Sequence, residues 1–406
     1  MKRFFQVLSF DVLAKVVLGL VSLALIRFMP VEQFAAFTLA VSVATLAAQA
    51  LAGGFNRIYV VGYEALALAG RAGAFLGFQL ALVALLALAG TLAAAALGGL
   101  YPAAVALALG IVLSEFAKTY YQRELRFGRY SAIEVGRAAG QALGVGLLIA
   151  VYRDALGAAP VIWVQAAALA LSFAVAAAAA LRWADVFAPA AIARVARTVL
   201  GGAYGYLLAY FGVLAVFSQI DVLMVKALAD EHTLATYGSA LRYYGLLSLA
   251  LGAVHAVLLP AIQRAATAAE LRRLYREHFR LVLLFAPAVA LGAWLAGWVL
   301  PWVDGGRYPD AVTAFRLLAA SAVVSFAFSP HVNLLLKRGR FRFLFLLIVA
   351  ASAVALAANL ALIPRFGAPG AALATAIASA CVTVPIFFLA RRLSNPAGAA
   401  HRQGAL

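Results

Sequence analysis

The sequence predicts an all-α polytopic membrane protein: about twelve transmembrane helices in two six-helix bundles, related by a pseudo-two-fold along the membrane normal, around a central cavity. Three observations predict it. Of the 406 residues, 66% are hydrophobic and only 12% charged, against roughly 25% charged in a soluble domain. Lysine and arginine fall in short clusters spaced one helical hairpin apart, almost all on one side of the implied membrane. The two halves of the chain also repeat one another.

The same composition excludes other classes. One cysteine, Cys381, gives no disulfide framework, and no Cys/His set has metal-ligand spacing; no cofactor is expected. A net charge of +17 would suit nucleic acid, but the basic residues do not form one continuous face, so no nucleic-acid partner is expected. No GxxxxGK[ST] phosphate loop exists. The longest inner polar segments, 183–202 and 261–280, are too small for a nucleotide-binding domain. ATP-driven pumping by this chain alone is therefore not expected, and outer loops with one basic residue each or none make an enzyme an unexpected reading as well.

Apolar runs long enough to cross, at about 20 residues per hydrocarbon thickness, lie at roughly 5–28, 34–53, 72–98, 100–118, 131–151, 158–182, 203–228, 234–260, 281–303, 311–333, 342–362 and 368–390. The first carries Asp11 and Lys15, exceeds a signal-peptide core in length and lacks a small-x-small cleavage site, so it reads as a retained helix. Gly98-Gly99-Leu100-Tyr101-Pro102 separates the third span from the fourth. The polar stretch Asp185–Arg197 joins the halves. Before the ninth span, Glu270–Arg280 reads as an amphipathic basic helix on the anionic inner leaflet. These divisions give an N-terminal bundle (1–184), a cytoplasmic linker (185–202), a C-terminal bundle (203–392) and a tail (393–406). Lysine and arginine then number 24 on one side and 5 on the other, with Lys15, Arg242 and Arg316 inside spans completing the 32. That bias predicts that both termini lie in the cytoplasm.

The repeat has an offset near 200–211. Arg126-Phe127-Gly128-Arg129-Tyr130 recurs as Lys337-Arg338-Gly339-Arg340-Phe341. Gly157 recurs as Gly367. Arg27 followed by Phe34-Ala35-Ala36-Phe37 matches Lys226 followed by Leu234-Ala235-Thr236-Tyr237. Six spans per half is an even number, so both halves start on the same face, as in parallel-repeat transporters.

Several stretches are similar to a known family. Leu362-Ile363-Pro364-Arg365-Phe366-Gly367-Ala368-Pro369-Gly370-Ala371-Ala372-Leu373-Ala374-Thr375 resembles a signature of the lipid-linked oligosaccharide flippases, the O-antigen and exopolysaccharide translocases of the multidrug/oligosaccharidyl-lipid/polysaccharide exporter superfamily. Arg126–Tyr130, Gln219-Ile220-Asp221 and Thr236-Tyr237-Gly238-Ser239-Ala240 resemble that family at matching spans. The chain departs from it at Leu51-Ala52-Gly53-Gly54, where an Asp-Leu-Gly run is usual. It departs again at the outer loop 304–310, Asp-Gly-Gly-Arg-Tyr-Pro-Asp in place of Phe-Gly-Glu-Tyr. The resemblance implies a flippase of the bacterial cell inner membrane that moves an undecaprenyl-diphosphate-linked glycan repeat unit from the cytoplasmic to the periplasmic leaflet. A proton or sodium ion gradient would drive it, alongside a glycan polymerase and a chain-length regulator.

Charges inside the spans are costly and need a reason. Lys15, with Asp11 one turn away and Ser22 on the same side, reads either as a self-neutralising ion pair or as a cavity-lining cation. Arg242, about 12 Å deep at 1.5 Å per residue, suits bidentate contact with phosphate oxygens. Substrate binding is accordingly expected at Lys15 and Arg242, with Arg57 at the inner mouth and Arg27 near the outer end of the first span. Asp11, Asp221 and Glu115 are the candidate ion-coupling carboxylates, although Glu115 beside Lys118, and Glu134 beside Arg137, also read as salt bridges. Rival functions are a drug or toxin extruder, a peptidoglycan-precursor flippase, and a membrane glycan polymerase or ligase; short outer loops speak against the last.

Overall fold

The computed structural model describes residues 2–394 apart from 65, 69, 125, 177–179, 202, 203, 265 and 266. Side chains are described within that range except at 2–12, 61, 127, 154, 248–261, 263, 264, 268, 337 and 391–394. Among the described residues every regular element is a helix, without a strand. In chain order the helices are α1 (Lys2–Phe28), α2 (Val31–Ala48), α3 (Gly54–Val61), α4 (Ala72–Ala89), α5 (Thr91–Leu97), α6 (Tyr101–Arg123), α7 (Phe127–Tyr152) and α8 (Ala158–Ala176). Two short helices, α9 (Trp183–Val186) and α10 (Pro189–Leu200), form the join. The second half holds α11 (Gly205–Leu228), α12 (Glu231–Arg264), α13 (Ala268–Asp304), α14 (Asp310–Lys337) and α15 (Phe341–Ser394).

Among the described residues, nine helices are long and apolar enough to cross a membrane, and the chain is a multi-pass membrane protein. One of the nine, α15, is two crossings in a single rod, bent where Gly367 takes φ of 58°, a left-handed value that glycine adopts at little cost. With α1 and α12, the crossings match the twelve predicted from the sequence. Boundaries differ in three places: the third span, predicted as 72–98, is broken at Gly90 between α4 and α5, and two others shift. The second span does not stop at 53: α2 runs through a π-helical turn at Gln49–Gly53 into α3. Nor is Glu270–Arg280 a separate surface helix. It forms the first turns of α13, started by a Thr267–Glu270 capping box.

The helices form two pseudo-symmetric lobes. In the first, α6, α7 and α8 pack on one another, and α1 lies along α7; in the second, α15 packs on α11 and α14, and α12 on α14. Contacts between the lobes follow the repeat. The second span (α2) meets its counterpart, the eighth (α12); α1 meets α12, and the counterpart pair α2 and α11 meets likewise. This is the self-complementary pattern of a two-fold interface. The repeated strings lie in that seam, where Phe34, Ala35 and Phe37 of α2 share one buried cluster with Leu234, Ala235 and Tyr237 of α12. Helices in lipid associate by close packing, with small residues at the contact. Gly238 shows why: a Cβ there would collide with Thr38.

Candidate functional site

Below this seam the lobes part around a cavity of about 980 Å³. Its walls come from the end of α2, the π-helical turn, α3, α6 and α7 on one side, and from α11 and α14 on the other. The lining reaches Val60, Gln122 and Leu336, each near the end of its helix on the basic-rich face, so the cavity extends toward that face. Ser218 of α11 donates a hydrogen bond to Gln49 Oε1 at 2.8 Å, linking the lobes at the level of the π turn. A π bulge adds a residue to the turn and re-aims the side chains that follow it. Here Gln49, Ala52, Gly53, Asn56 and Arg57 all face the cavity. Asn56 is held in turn by a buried bond from Gln79 Nε2 at 2.8 Å.

The electrostatics are uneven. Arg57 lines the cavity half-buried and makes no ion pair among the described residues. The acidic groups nearby are already engaged. Glu115 lies 2.5 Å from Lys118 Nζ, which also donates to Glu134 at 2.6 Å, and Glu134 holds Arg137 at 3.0 Å. The spacing had suggested the Glu115–Lys118 and Glu134–Arg137 pairs; their fusion through Lys118 into one network across α6 and α7 is new. Glu115 and Arg137 both line the cavity. The wall adds hydroxyls and amides: Thr45, Thr119, Gln122, Ser325, Ser329 and Asn333.

The other sequence-predicted residues are spread over the molecule. Lys15 sits half-buried on α1, within electrostatic reach of Glu134, and is not among the described lining residues. The Asp11 side chain lies outside those described. Arg242 is likewise absent from the described lining. It stands in the seam above, its guanidinium 5.0 Å from the Phe37 ring centroid, a cation–π contact joining the lobes. Arg27 is exposed at the far end of α1, against Gly305.

Beside Arg27 the far face is latched by a residue that sequence reasoning counted only as one outer cation. Arg307, between α13 and α14, donates to the carbonyls of Met29 (2.9 Å), Arg27 (2.6 Å) and Ile26. The last carbonyls of a helix lack intrahelical partners and carry the negative end of its dipole, so one guanidinium closes α1 of one lobe onto the other. The latch lies in the loop where this chain departs from the resembled family.

Asp221 of α11 is buried inside the second lobe. Thr375 Oγ1 donates to it at 2.6 Å, Asn359 Nδ2 at 2.8 Å and the Tyr237 hydroxyl at 3.3 Å. No cation pairs with it among the described residues. A buried carboxylate held only by neutral donors keeps an uncompensated charge unless a cation or proton joins it. Its donors lie on α12 and both halves of α15. Thr375 belongs to the stretch that carries the family resemblance; Asn359 gave no signal in the sequence.

Comparison with solved structures places this geometry. The chain is similar to a lipid II flippase MurJ in its inward closed conformation, with a TM-score of 0.72 at 14% identity over 96% of this chain and 87% of that one. A multidrug resistance MATE family transporter of the MOP superfamily, inward-facing, gives 0.67 at 14% identity over 98% and 96%. The fold is that of MOP-superfamily transporters. An outward-facing MATE family transporter gives 0.58 at 13% identity over 95% and 93%. No family model matches the sequence, and no curated protein matches it.

Proposed function

We propose that this MOP-fold chain is a transporter that flips an undecaprenyl-diphosphate-linked oligosaccharide repeat unit across the bacterial inner membrane, for O-antigen or exopolysaccharide assembly. Both termini and the basic-rich face lie in the cytoplasm. A diphosphate cannot enter hydrocarbon without losing its hydration, and a wet cavity with a fixed cation replaces that shell while the prenyl tail stays in lipid. The observation that carries the reading is Arg57: a guanidinium with no ion pair among the described residues, in a roughly 980 Å³ cavity whose neighbouring acids are already neutralised. A guanidinium engages two phosphate oxygens at once, and the surrounding hydroxyls and amides suit sugars.

Arg57 captures the headgroup from the inner leaflet. Opening of the far face then separates Phe37 from Arg242 and releases Arg307 from α1, so that Arg242 and Arg27 receive the headgroup on the periplasmic side. Lys15, through Glu134, belongs to the network that sets the potential of the cavity wall. Among Asp11, Asp221 and Glu115 we assign ion coupling to Asp221, because Glu115 is occupied by Lys118 whereas Asp221 has only neutral donors among the described residues. A proton or a sodium ion fits its place. Polymerase and chain-length regulator act on the delivered product.

Deleting the gene in its host tests the function. The expected phenotype is loss of surface polysaccharide, accumulation of lipid-linked repeat units on the cytoplasmic side, and unchanged drug tolerance. Drug hypersensitivity with normal surface glycan would instead favour an extruder, and lysis with lipid II accumulation a peptidoglycan-precursor flippase.

A further inference from the structure

We propose that a second site, a cleft of about 390 Å³ between α13 and α14, binds the phosphate headgroup of an anionic phospholipid in the leaflet at the basic-rich face. The cleft is separate from the transport cavity. Ser325, Ser329, Val332, Asn333 and Leu336 of α14 line the cavity, whereas Ala327, Pro330 and His331 line the cleft. At 3.6 residues per turn these are opposite faces of one helix.

Its floor is built around a proline. Pro330 has no N–H to give the Phe326 carbonyl, and His278 Nε2 of α13 donates to that oxygen at 2.9 Å instead. The bond fixes the two helices together and leaves His278, 3% exposed, with Nδ1 unpartnered among the described residues. One wall is the Tyr275 ring stacked on His331 at 4.9 Å and 19°. The mouth carries Arg276 and Arg280, one turn apart, exposed and free of ion pairs among the described residues, whereas the adjacent Arg273 is engaged by Glu277 at 2.8 Å. Two guanidiniums without ion pairs among the described residues, at the mouth of a largely apolar cleft, are a receptor for phosphate oxygens with apolar surface beneath for the lipid they belong to.

Depth and apolar surface point to a lipid as the source of that phosphate. Trp302, exposed near the far end of α13, is the kind of residue that anchors a span at the interface; counting about 20 residues, one hydrocarbon thickness, back from it reaches residue 282, which sets Arg276 and Arg280 at headgroup level. Toward the bilayer centre, α13 exposes Leu283 and Leu284, 59% and 75% accessible, as a track for acyl chains.

Native mass spectrometry of the detergent-purified full chain, titrated with dioleoyl-phosphatidylglycerol, tests the site. Binding is expected to exceed that of dioleoyl-phosphatidylcholine and to weaken by about ten- to thirtyfold in Arg276→Gln/Arg280→Gln. The single charge reversal Arg280→Glu should move it in the same direction. Arg272→Gln, on the same helix outside the cleft, and Arg57→Gln, in the transport cavity, should leave it unchanged. Full binding by the double variant, equal loss with Arg272→Gln, or equal binding of the zwitterionic lipid would overturn the proposal. Displacement of the lipid by an equal concentration of inorganic phosphate would overturn the lipid as the source.

Discussion

The two lobes share a backbone plan and differ in where they keep charge. The first lobe concentrates it at the cavity, whose wall carries Glu115 and Arg137 of the network Glu115–Lys118–Glu134–Arg137 and, beside them, Arg57 with no ion pair among the described residues. The second lobe gives the cavity uncharged polar groups, Ser325, Ser329 and Asn333, and buries one carboxylate, Asp221, in its interior. At the offset that aligns Arg27 with Lys226, Asp221 corresponds to Ser22, so the first lobe has no carboxylate at the equivalent place. Duplication supplied a symmetric frame and a self-complementary seam. The charge placement diverged within it: one lobe carries a charged network and Arg57 at the cavity wall, the other the buried carboxylate Asp221. To these we assign an anionic headgroup and a cation respectively.

The largest effect that would sharpen this contrast is expected at Asp221. Asp221→Asn keeps the size of the side chain and loses its charge, so ion-driven transport should fall on the order of five- to a hundredfold, the span of typical coupling free energies. The residual flux should no longer respond to the imposed gradient. The reciprocal Ser22→Ala should leave coupling intact. A gradient-dependent flux in Asp221→Asn proteoliposomes would break the assignment of coupling to the second lobe.

Next in size is the first lobe's free cation. Arg57→Gln removes a charge-assisted contact of about 1.5–3 kcal/mol, and affinity for a prenyl-diphosphate glycan in native mass spectrometry should drop about tenfold or more. Arg57→Lys should recover part of it, since a point charge lacks the fork geometry.

A third effect concerns the seam. Arg307→Ala removes three bonds to the α1 terminus, worth about 0.5–1.5 kcal/mol each, and should shift the population toward the outward-open form. Spin labels placed across the far face in a Cys381→Ser background would report it as a longer interlobe distance. An unchanged distance distribution would show that the buried seam of Phe34, Phe37 and Tyr237 holds the face closed alone.

The smallest is Glu134→Gln. The amide keeps the shape but removes the charge shared by Lys118 and Arg137, and thermal stability should fall by an amount corresponding to about 1–3 kcal/mol with the fold retained.

Much of the frame was legible in the sequence. Apolar run length and the 24-to-5 charge bias need no tertiary knowledge, because the bilayer imposes them on each span separately. The strings at 34–37 and 234–237 announced a repeat, and they pack in one cluster because a two-fold brings equivalent segments together. The site was less legible. Which face of a span meets the cavity depends on neighbours far away in sequence, and the π turn that aims Asn56 and Arg57 has no pattern marking it. The helix-wheel argument for Lys15 could not foresee Glu134 on α7, nor could any local signal join Asp221 to Asn359 and Thr375. Arg307 read as a bare outer charge because its partners are backbone carbonyls, which every sequence has.

The most direct test of the central claim is a flipping assay in proteoliposomes carrying fluorescent undecaprenyl-diphosphate-linked oligosaccharide in one leaflet. Glycan reaching the other leaflet is read by a membrane-impermeant cleaving enzyme. The account predicts gradient-dependent flipping by the wild-type chain, strong loss in Arg57→Gln, and gradient-independent residual flipping in Asp221→Asn. Undiminished flipping with Arg57 neutralised, or none by the folded wild-type protein under a proton or a sodium gradient, would contradict it.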